Sequence, residues 1–127
     1  VDIQRESQAP FANFQQYFGH GDALVARSQQ WLQQRLAETF RLATLACAVG
    51  ASERTLIRRF RSALGDTPLR YLQRLRLHAA CRLLETSSLP LERIVPEVGY
   101  ADLGAFRRLF RRELGCTPAE FRRTRQN

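Results

Sequence analysis

The sequence contains no lysine and no methionine, and it has only two histidines and three cysteines among its 127 residues. The histidines, His20 and His78, lie far apart, without a spacing that indicates a metal site or a catalytic triad. The cysteines, Cys47, Cys81 and Cys116, are odd in number and include no Cys-x-x-Cys pair. We therefore expect neither a disulfide framework nor a zinc site.

Other absences exclude further classes of protein. No apolar run approaches the roughly 20 residues that cross a bilayer, no secretory signal opens the chain, and no glycine-rich loop could cradle a phosphate. These absences predict a cytoplasmic protein that is not an enzyme, binds no metal or cofactor and has no membrane partner. Because the chain begins with Val1 rather than methionine, we expect it to be the C-terminal part of a longer protein.

All 20 basic residues are arginines, and they are unevenly placed. Residues 1–51 hold four arginines and four acidic residues, whereas residues 52–127 hold 16 arginines and eight acidic residues, so the net charge of +8 lies entirely after residue 51. A field of this sign favours a polyanionic partner, with nucleic acid as the first candidate and an anionic membrane surface as the second. With 44% hydrophobic residues, the chain can also build a core.

The first part of the chain predicts a lead-in followed by one helix. Residues 1–21 are polar, rich in glutamine and without a sustained period, which is typical of a linker. Asp22 then caps a helical pattern that runs to about residue 37. Four aromatic side chains in the linker offer a means of docking on a neighbour: Phe11, Phe14, Tyr17 and Phe18.

Residues 40–66 predict a helix-turn-helix. A short apolar helix is stopped by Gly50, and Ser52 caps a second helix over 52–64, which ends at Gly65. These two helices form the first of two similar units.

A long helix is predicted over residues 68–86. Thr67 supplies a cap, and Pro68 occupies the first helical position, where a missing N–H is tolerated. The 19 residues of this linker helix span about 28 Å at 1.5 Å per residue, which is comparable to about 34 Å for one turn of DNA.

The pattern then repeats, so residues 90–124 predict a second helix-turn-helix with its second helix over 102–114. The offset is 49 before the turn and 50 after it, which makes the second turn one residue longer. An internal duplication of this length is hard to obtain by chance. The correspondence joins Leu56, Phe60, Leu64, Gly65, Thr67, Pro68 and Tyr71 of the first unit to Phe106, Phe110, Leu114, Gly115, Thr117, Pro118 and Phe121 of the second.

One residue departs from the repeat. Pro96 lies inside the helix predicted over 90–98, where it removes the amide that would bond to the carbonyl of Glu92 and costs roughly 3 kcal/mol. We expect this helix to be kinked or reorganised in its first turn, which would alter the orientation of the helix that follows.

Three stretches resemble a known family: LACAVGASERTLIRRFRSALGDTPLRYL, RLRLHAACRLLETSSLPLERIV and VGYADLGAFRRLFRRELGCTPAEFRR, which cover about residues 40–123. They are similar to the DNA-binding domain of AraC/XylS-type transcriptional regulators. The resemblance implies an all-α, homeodomain-like fold of about seven helices, with two helix-turn-helix subdomains joined by a long linker helix. It also implies a double-stranded DNA partner, whose bipartite site receives two recognition helices in successive major-groove faces.

A second similarity concerns the start of the chain. The stretch from SQAPF through ALVARSQQWLQQRL resembles the lead-in of GlxA-like members of the family. In those members the DNA-binding domain follows a glutamine-amidotransferase-like sensor domain. The resemblance therefore implies an N-terminal sensor domain of this kind as a partner in the same protein.

The candidate base contacts of the first unit lie on the outward face of helix 52–64. The N-terminal turns of a recognition helix enter the groove first, which selects Arg54, Ile57 and Arg58. Arginine can fork onto the O6 and N7 acceptors of guanine, and isoleucine can meet a thymine methyl group. These positions also match the reading positions of the family that the sequence resembles.

On helix 102–114 the matching positions are Leu103, Gly104, Arg107 and Arg108. Leu103 and Gly104 offer only apolar or close-approach contacts, so the second unit is expected to read with less hydrogen bonding. Phosphate contacts are expected from arginines that lie later on the helices or near the C-terminus. They are Arg59, Arg61, Arg111, Arg112, Arg122 and Arg123.

Arg76 has a different expected role. It matches an arginine in the linker helix of the family, which implies that it braces the two subdomains and does not contact bases.

Two other interpretations stay open at this point. A basic chain of this kind could bind nucleic acid without sequence preference, which predicts equal affinity for selected and random DNA. Alternatively, helix 22–37 and the aromatic lead-in could form a protein-interaction module that contacts a sensor domain or RNA polymerase, with Trp31 as its discriminating residue.

Overall fold

A computed structural model describes residues 17–126, and within them the chain forms seven α-helices and no strand. The all-α architecture expected from the sequence is confirmed. None of the helices in this range is long and apolar enough to cross a membrane. In chain order they are α1 (Ala23–Gln34), α2 (Leu42–Val49), α3 (Glu53–Leu64), α4 (Pro68–Thr86), α5 (Leu91–Glu97), α6 (Leu103–Leu114) and α7 (Pro118–Gln126).

The described residues divide into two compact units, 17–75 and 76–126. The first unit contains α1, α2, α3 and the beginning of α4, and the second contains the rest of α4 with α5, α6 and α7. Each unit holds one helix-turn-helix, α2–α3 in the first and α5–α6 in the second. The internal repeat of the sequence is thus a repeat of structure.

Short polar residues begin the helices where the sequence predicts them. Asp22, Ser52 and Asp102 each accept a hydrogen bond from the backbone N–H three residues later, at 3.0–3.1 Å. Each bond satisfies one of the amides that a helix leaves unpaired at its N-terminus. At the other end of α2, Gly50 adopts a left-handed conformation with φ of 74°, which glycine reaches without steric cost. These caps set where α1, α3 and α6 start and how α2 stops.

The core of the first unit lies between α3 and its neighbours. Leu56 and Phe60, one turn apart on α3, are fully buried, as is Val25 of α1. Tyr71 of α4 is also fully buried, and its ring centroid lies 6.2 Å from that of Phe60. Because α3 buries one side against α1, α2 and α4, its opposite side is left outward.

The second unit builds its core at the equivalent positions. Phe106 and Phe110 of α6 are fully buried, with ring centroids 5.8 Å apart. Phe110 in turn meets Phe121 of α7 edge to face at 5.8 Å, a favourable arrangement for aromatic rings. The same two core positions therefore orient α6 in the second unit and α3 in the first.

The end of α1 differs from the sequence-based prediction. The helix stops at Gln34, three residues before the predicted end, because Arg35 leaves helical geometry with φ of −124°. The guanidinium of Arg35 lies 4.4 Å from the centroid of the Trp31 ring, and Leu36 turns back to pack against the core. These contacts replace a continued helix.

Pro96 lies in the last turn of α5 and does not break it. The helix continues from Leu91 to Glu97, so the proline removes one hydrogen bond near the C-terminus. Beyond it, the N–H of Val98 bonds to the carbonyl of Ile94 at 3.1 Å. The helix is seven residues long, whereas the equivalent α2 has eight.

The burial of Phe60 gives a test of the first core. We expect Phe60→Ala to lower the free energy of unfolding by about 3–5 kcal/mol, because it removes a fully buried ring and leaves a cavity. Leu69→Ala is the control, since Leu69 lies in the same unit with 48% of its surface exposed, and it should change stability by less than about 0.5 kcal/mol. Urea unfolding followed by the fluorescence of Trp31, the only tryptophan, measures both. Equal effects of the two substitutions would contradict the described packing.

Candidate nucleic-acid interface

The outward side of α3 carries the three base-contact candidates of the first unit. Arg54, Ile57 and Arg58 are all exposed, whereas Leu56 and Phe60 are buried. Positions i, i+3 and i+4 share one face of a helix, so the three side chains form one surface, which we call the α3 reading face. Ile57 is 38% exposed, which leaves an apolar group available beside two guanidinium groups.

The corresponding surface of α6 also carries two arginines. Arg107 and Arg108 are exposed, whereas Leu103 and Gly104 are half-buried. We call these four residues the α6 reading face. A Cβ atom added at Gly104 would come no closer than 3.4 Å to Asp102 Oδ1 and 3.6 Å to Arg108 Nη1. The packing of the unit therefore does not require glycine at this position.

A groove of about 800 Å³ adjoins the α6 reading face in the second unit. Apolar side chains contribute to its lining from three helices: Leu84, Leu91 and Pro118. Five arginines and one acidic residue also line it: Arg107, Arg108, Arg111, Arg122, Arg123 and Glu92. This excess of positive charge suits an anionic partner such as a phosphate backbone.

Four of the six phosphate candidates are exposed in the structure: Arg61, Arg111, Arg112 and Arg123. Arg112 is 66% exposed, and its Nε lies 3.7 Å from Glu113 Oε2. An exposed ion pair at that distance contributes little. The four guanidinium groups can therefore reach a partner, and their contact with phosphate stays a prediction.

Arg59 has a different environment from the one that its sequence position suggests. Its Nε donates to Asp22 Oδ2 at 2.7 Å and its Nη2 to Asp22 Oδ1 at 2.8 Å. Sequence reasoning identified Asp22 only as a helix cap and assigned Arg59 to phosphate. The carboxylate occupies one edge of the guanidinium, so the pair ties α3 to the start of α1, and a phosphate contact by Arg59 stays a prediction.

Arg122 is likewise engaged within its own unit. Its Nε donates to the carbonyl of Leu84 at 3.2 Å and its Nη2 to that of Ser87 at 3.1 Å. Gln126 Nε2 donates to the same two carbonyls at 2.9 Å. These carbonyls lie at the C-terminal end of α4, where a helix leaves acceptors unpaired. Arg122 thus fastens α7 onto the end of α4, and its contact with phosphate stays a prediction.

Arg76 is buried and lies against an aromatic ring of the second unit. Its guanidinium carbon is 5.3 Å from the ring centroid of Tyr100, and that ring is 5.3 Å from Phe106. Burial lowers the pKa of Arg76, but arginine stays charged in proteins. These contacts lie within the second unit, so the expected bracing of the two subdomains stays a prediction. Tyr100 lies in the longer second turn, so the added turn length accommodates a ring that contacts α6.

The end of the lead-in packs on the first unit. Tyr17 is buried, and its hydroxyl donates to Asp66 Oδ2 at 2.6 Å. Burial, together with this hydrogen bond, raises the pKa of Tyr17, so the hydroxyl stays protonated at neutral pH. His20 bonds to Gln29 Oε1 through Nε2 at 2.9 Å, and its Nδ1 accepts from the N–H of Asp22 at 3.0 Å. Of the four aromatic residues proposed for docking, Phe11 and Phe14 lie outside the described residues.

Sequence reasoning missed the contacts that Tyr17 and Asp22 make with distant residues. Tyr17 bonds to Asp66 across 49 positions, and Asp22 pairs with Arg59 across 37. Neither separation belongs to a helical or strand period, so no local pattern marks the pairs. The only available signal was chemical, an acidic residue at the start of one helix and an unexplained arginine on another.

Proteins of similar sequence and structure are known. A family model described as a helix-turn-helix domain matches residues 45–124. The HTH-type transcriptional activator RhaS of Escherichia fergusonii is 39% identical over 104 residues, which cover 82% of this chain and 37% of RhaS. The chain spans only about a third of the length of the curated relatives that it matches.

Two solved structures share the fold. The DNA-binding domain of AdpA, a global transcriptional factor, in complex with a target DNA has a TM-score of 0.75 and 39% identity, and the match covers 82% of this chain and 93% of that one. The C-terminal domain of AraT, a response regulator from Geobacillus stearothermophilus, has a TM-score of 0.79 and 28% identity over 84% of this chain and 88% of its own. Both likenesses extend over most of the described residues.

The pair of Asp22 and Arg59 predicts a pH dependence of stability. The hydrogen bond from Arg59 is the largest influence that lowers the pKa of Asp22, from 3.8 to about 2. A carboxyl group with a lowered pKa stabilises the fold above the ordinary pKa, and this contribution is lost as the pH falls through the lowered value. We therefore expect wild type to exceed Asp22→Ser in stability at neutral pH, with the excess shrinking between about pH 4 and pH 2.

Asp22→Ser is chosen because serine can still cap α1 but is too short to hold the guanidinium. Urea unfolding from pH 2 to 7, followed by Trp31 fluorescence, measures the difference. Arg59→Met is the matched control, and it should remove the largest part of this contribution, because the backbone N–H groups at the start of α1 still lower the pKa of Asp22. A stability difference that stays constant over the whole range would contradict the ion pair.

Proposed function

The chain belongs to the AraC-type helix-turn-helix family of transcription regulators, and we propose that it binds a specific double-stranded DNA site through the α3 and α6 reading faces. Each face enters the major groove at its own sequence box, so the site is bipartite. The proposed site of action is the bacterial cytoplasm, where the DNA lies.

One observation carries the proposal. Both recognition helices are 12 residues long, bury the same two core positions and expose arginine at the equivalent positions Arg58 and Arg108. Core packing explains the buried positions but gives no reason for guanidinium groups on the outward face. Arginine can donate two parallel hydrogen bonds to guanine O6 and N7, which supplies that reason.

The two faces are proposed to read DNA differently. The α3 reading face offers two guanidinium groups and an exposed isoleucine, so it can combine guanine contacts with a thymine methyl contact. At the positions equivalent to Glu53, Arg54 and Ile57 of α3, the α6 reading face has Leu103, Gly104 and Arg107, so its two guanidinium groups lie on adjacent residues. We propose that it contributes fewer base-specific hydrogen bonds and more close backbone contacts, with Arg61, Arg111, Arg112 and Arg123 binding phosphates around both helices.

Selection of bound duplexes from a random pool, followed by fluorescence titration, tests the function. We expect two sequence boxes, with the stronger base preference in the box read by α3, and we expect the spacing between them to be about one turn. Affinity for the selected duplex should exceed that for random DNA and fall steeply with added salt. Equal affinity for the two duplexes would favour the non-specific alternative and refute the proposal.

Arg58 and Arg112 separate base contacts from phosphate contacts. We expect Arg58→Ala to lose about 1–3 kcal/mol of binding free energy at one base pair and to relax the preference there, because a bidentate contact is removed. Arg112→Ala should weaken binding to all duplexes alike and reduce the slope of log affinity against log salt by about 1. Titrations of both variants against the selected duplex and its single-base variants measure this. A uniform loss from both substitutions would sink the assignment of Arg58.

A substitution at Gly104 tests how closely DNA approaches α6, independently of the stability of the fold. Because a Cβ fits at this position, we expect Gly104→Ala to keep the fold and to raise the free energy of unfolding by up to about 1 kcal/mol, since alanine favours helix. The same methyl group would stand between α6 and the DNA, so affinity for the selected duplex should fall. Thermal unfolding and titration of one preparation measure both quantities. Unchanged affinity would show that DNA does not approach this position closely.

We propose two partners for the whole protein of which such a domain is a part. The GlxA-like amidotransferase-type sensor domain and RNA polymerase are proposed partners of that whole protein. The similarity of the lead-in to GlxA-like members supports the first. The name of RhaS as a transcriptional activator supports the second. Assembly assays with Trp31→Ala test the contact surface on α1, since unaffected assembly by a folded variant would exclude it.

A further inference from the structure

We call residues 17–22 the clasp. This segment contacts α3 and the residue that follows the C-cap of α3. At one end Asp22 holds Arg59, which lies in the middle of α3. At the other end Tyr17 holds Asp66, which follows directly after Gly65, the C-cap of α3. Two polar contacts thus join the clasp to the middle of α3 and to the residue that follows its C-cap.

The clasp is itself held in place by side chains of α1 and α4. The carbonyl of Tyr17 accepts from Gln29 Nε2 at 2.8 Å, and Gln29 is buried. The ring of Tyr17 meets Tyr71 edge to face at 5.3 Å. Asp22 caps α1 with the same carboxylate that pairs with Arg59. These contacts hold Tyr17 and Asp22 in place, which are the residues that bond to Asp66 and Arg59.

Arg59 does not belong to the α3 reading face. It follows Arg58 directly, and successive helical residues point about 100° apart. Its guanidinium is engaged on the α1 side of the unit, whereas Arg54, Ile57 and Arg58 have exposed side chains. A bidentate pair restrains rotation and sliding of a helix, because two parallel hydrogen bonds demand one geometry. Sliding or rotation of α3 would misdirect every side chain of the α3 reading face together.

We propose that Asp22 and Arg59 are positioning residues for DNA recognition: core packing sets which side of α3 faces outward, and the ion pair restrains the helix within that arrangement and so sharpens the base preference of the first unit. The proposal rests on the proposed function, since it presumes that the α3 reading face contacts bases.

Asp22→Ser is the first test, on the full 127-residue chain. It keeps a capping hydroxyl and leaves Arg59 in place, so the net charge becomes more positive. We expect discrimination between the selected duplex and its variant at the Arg58-dependent base pair to fall about fivefold to tenfold. Affinity for random DNA should stay equal or rise, because electrostatic attraction is retained.

Arg59→Met and the double variant complete the test. Arg59→Met should lose the same discrimination, and combining it with Asp22→Ser should add no further loss, because the two side chains act as one unit. Tyr17→Phe should cause a smaller loss, since the ring stays and only the bond to Asp66 is removed. The titrations are made at a temperature at which far-ultraviolet circular dichroism shows every variant to be folded. A loss of stability then does not change the ratio of the affinities for the two duplexes.

The outcomes separate this proposal from the one on which it rests. If Arg58→Ala relaxes base preference while Asp22→Ser and Arg59→Met discriminate like wild type, the positioning role is overturned and base reading by α3 stands. If Arg59→Met alone weakens all duplexes equally, Arg59 is a phosphate contact and the positioning role is again overturned. If Arg58→Ala leaves base preference unchanged, both proposals fail. Matching losses in the two variants support the positioning role.

Discussion

The burial of two apolar side chains one turn apart determines which side of each recognition helix faces outward. Leu56 and Phe60 hold α3, and Phe106 and Phe110 hold α6. Fully burying such a side chain contributes about 1.5–3 kcal/mol, which exceeds what an exposed polar contact contributes. The core therefore sets the helix rotation, and Arg58 and Arg108 are exposed as a consequence. The chemistry of the outward faces can vary without changing the fold.

Some arginines are bonded within the fold, whereas others are exposed and available to a partner. In the second unit, Arg122 donates to the carbonyl of Leu84 and Arg125 pairs with Glu85, and both partners belong to α4. The guanidinium of Arg125 also lies 4.9 Å from the centroid of the Phe121 ring. Arg54, Arg58 and Arg61, by contrast, are exposed on α3, where like charges one turn apart repel each other. That repulsion is unfavourable in the free domain and is relieved by a polyanion. Net charge alone therefore overstates the number of arginines available to DNA.

Local signals in the sequence predicted the helices well because caps are local. Asp22, Ser52 and Asp102 start their helices as expected, and α4 has the predicted bounds of 68–86. The prediction failed where a tertiary contact competes with local preference, as at the end of α1, where Leu36 packs back on the core. The outward positions of the candidate site followed from periodicity. The engagement of Arg59 did not, because its partner lies 37 positions away.

The two units solve the same positioning problem with different chemistry. Where α3 has Arg59 paired with Asp22, the equivalent residue of α6 is Leu109, which is buried in the core of its own unit. An ion pair is screened by salt and lost on protonation of its carboxylate, whereas an apolar contact is affected by neither. At this position α6 is held by apolar packing, which Tyr100 against Phe106 reinforces. The orientation of α3 also depends on a charged contact to the segment through which the chain enters the unit. At this position of the repeat, α3 therefore has a charged contact where α6 has an apolar one.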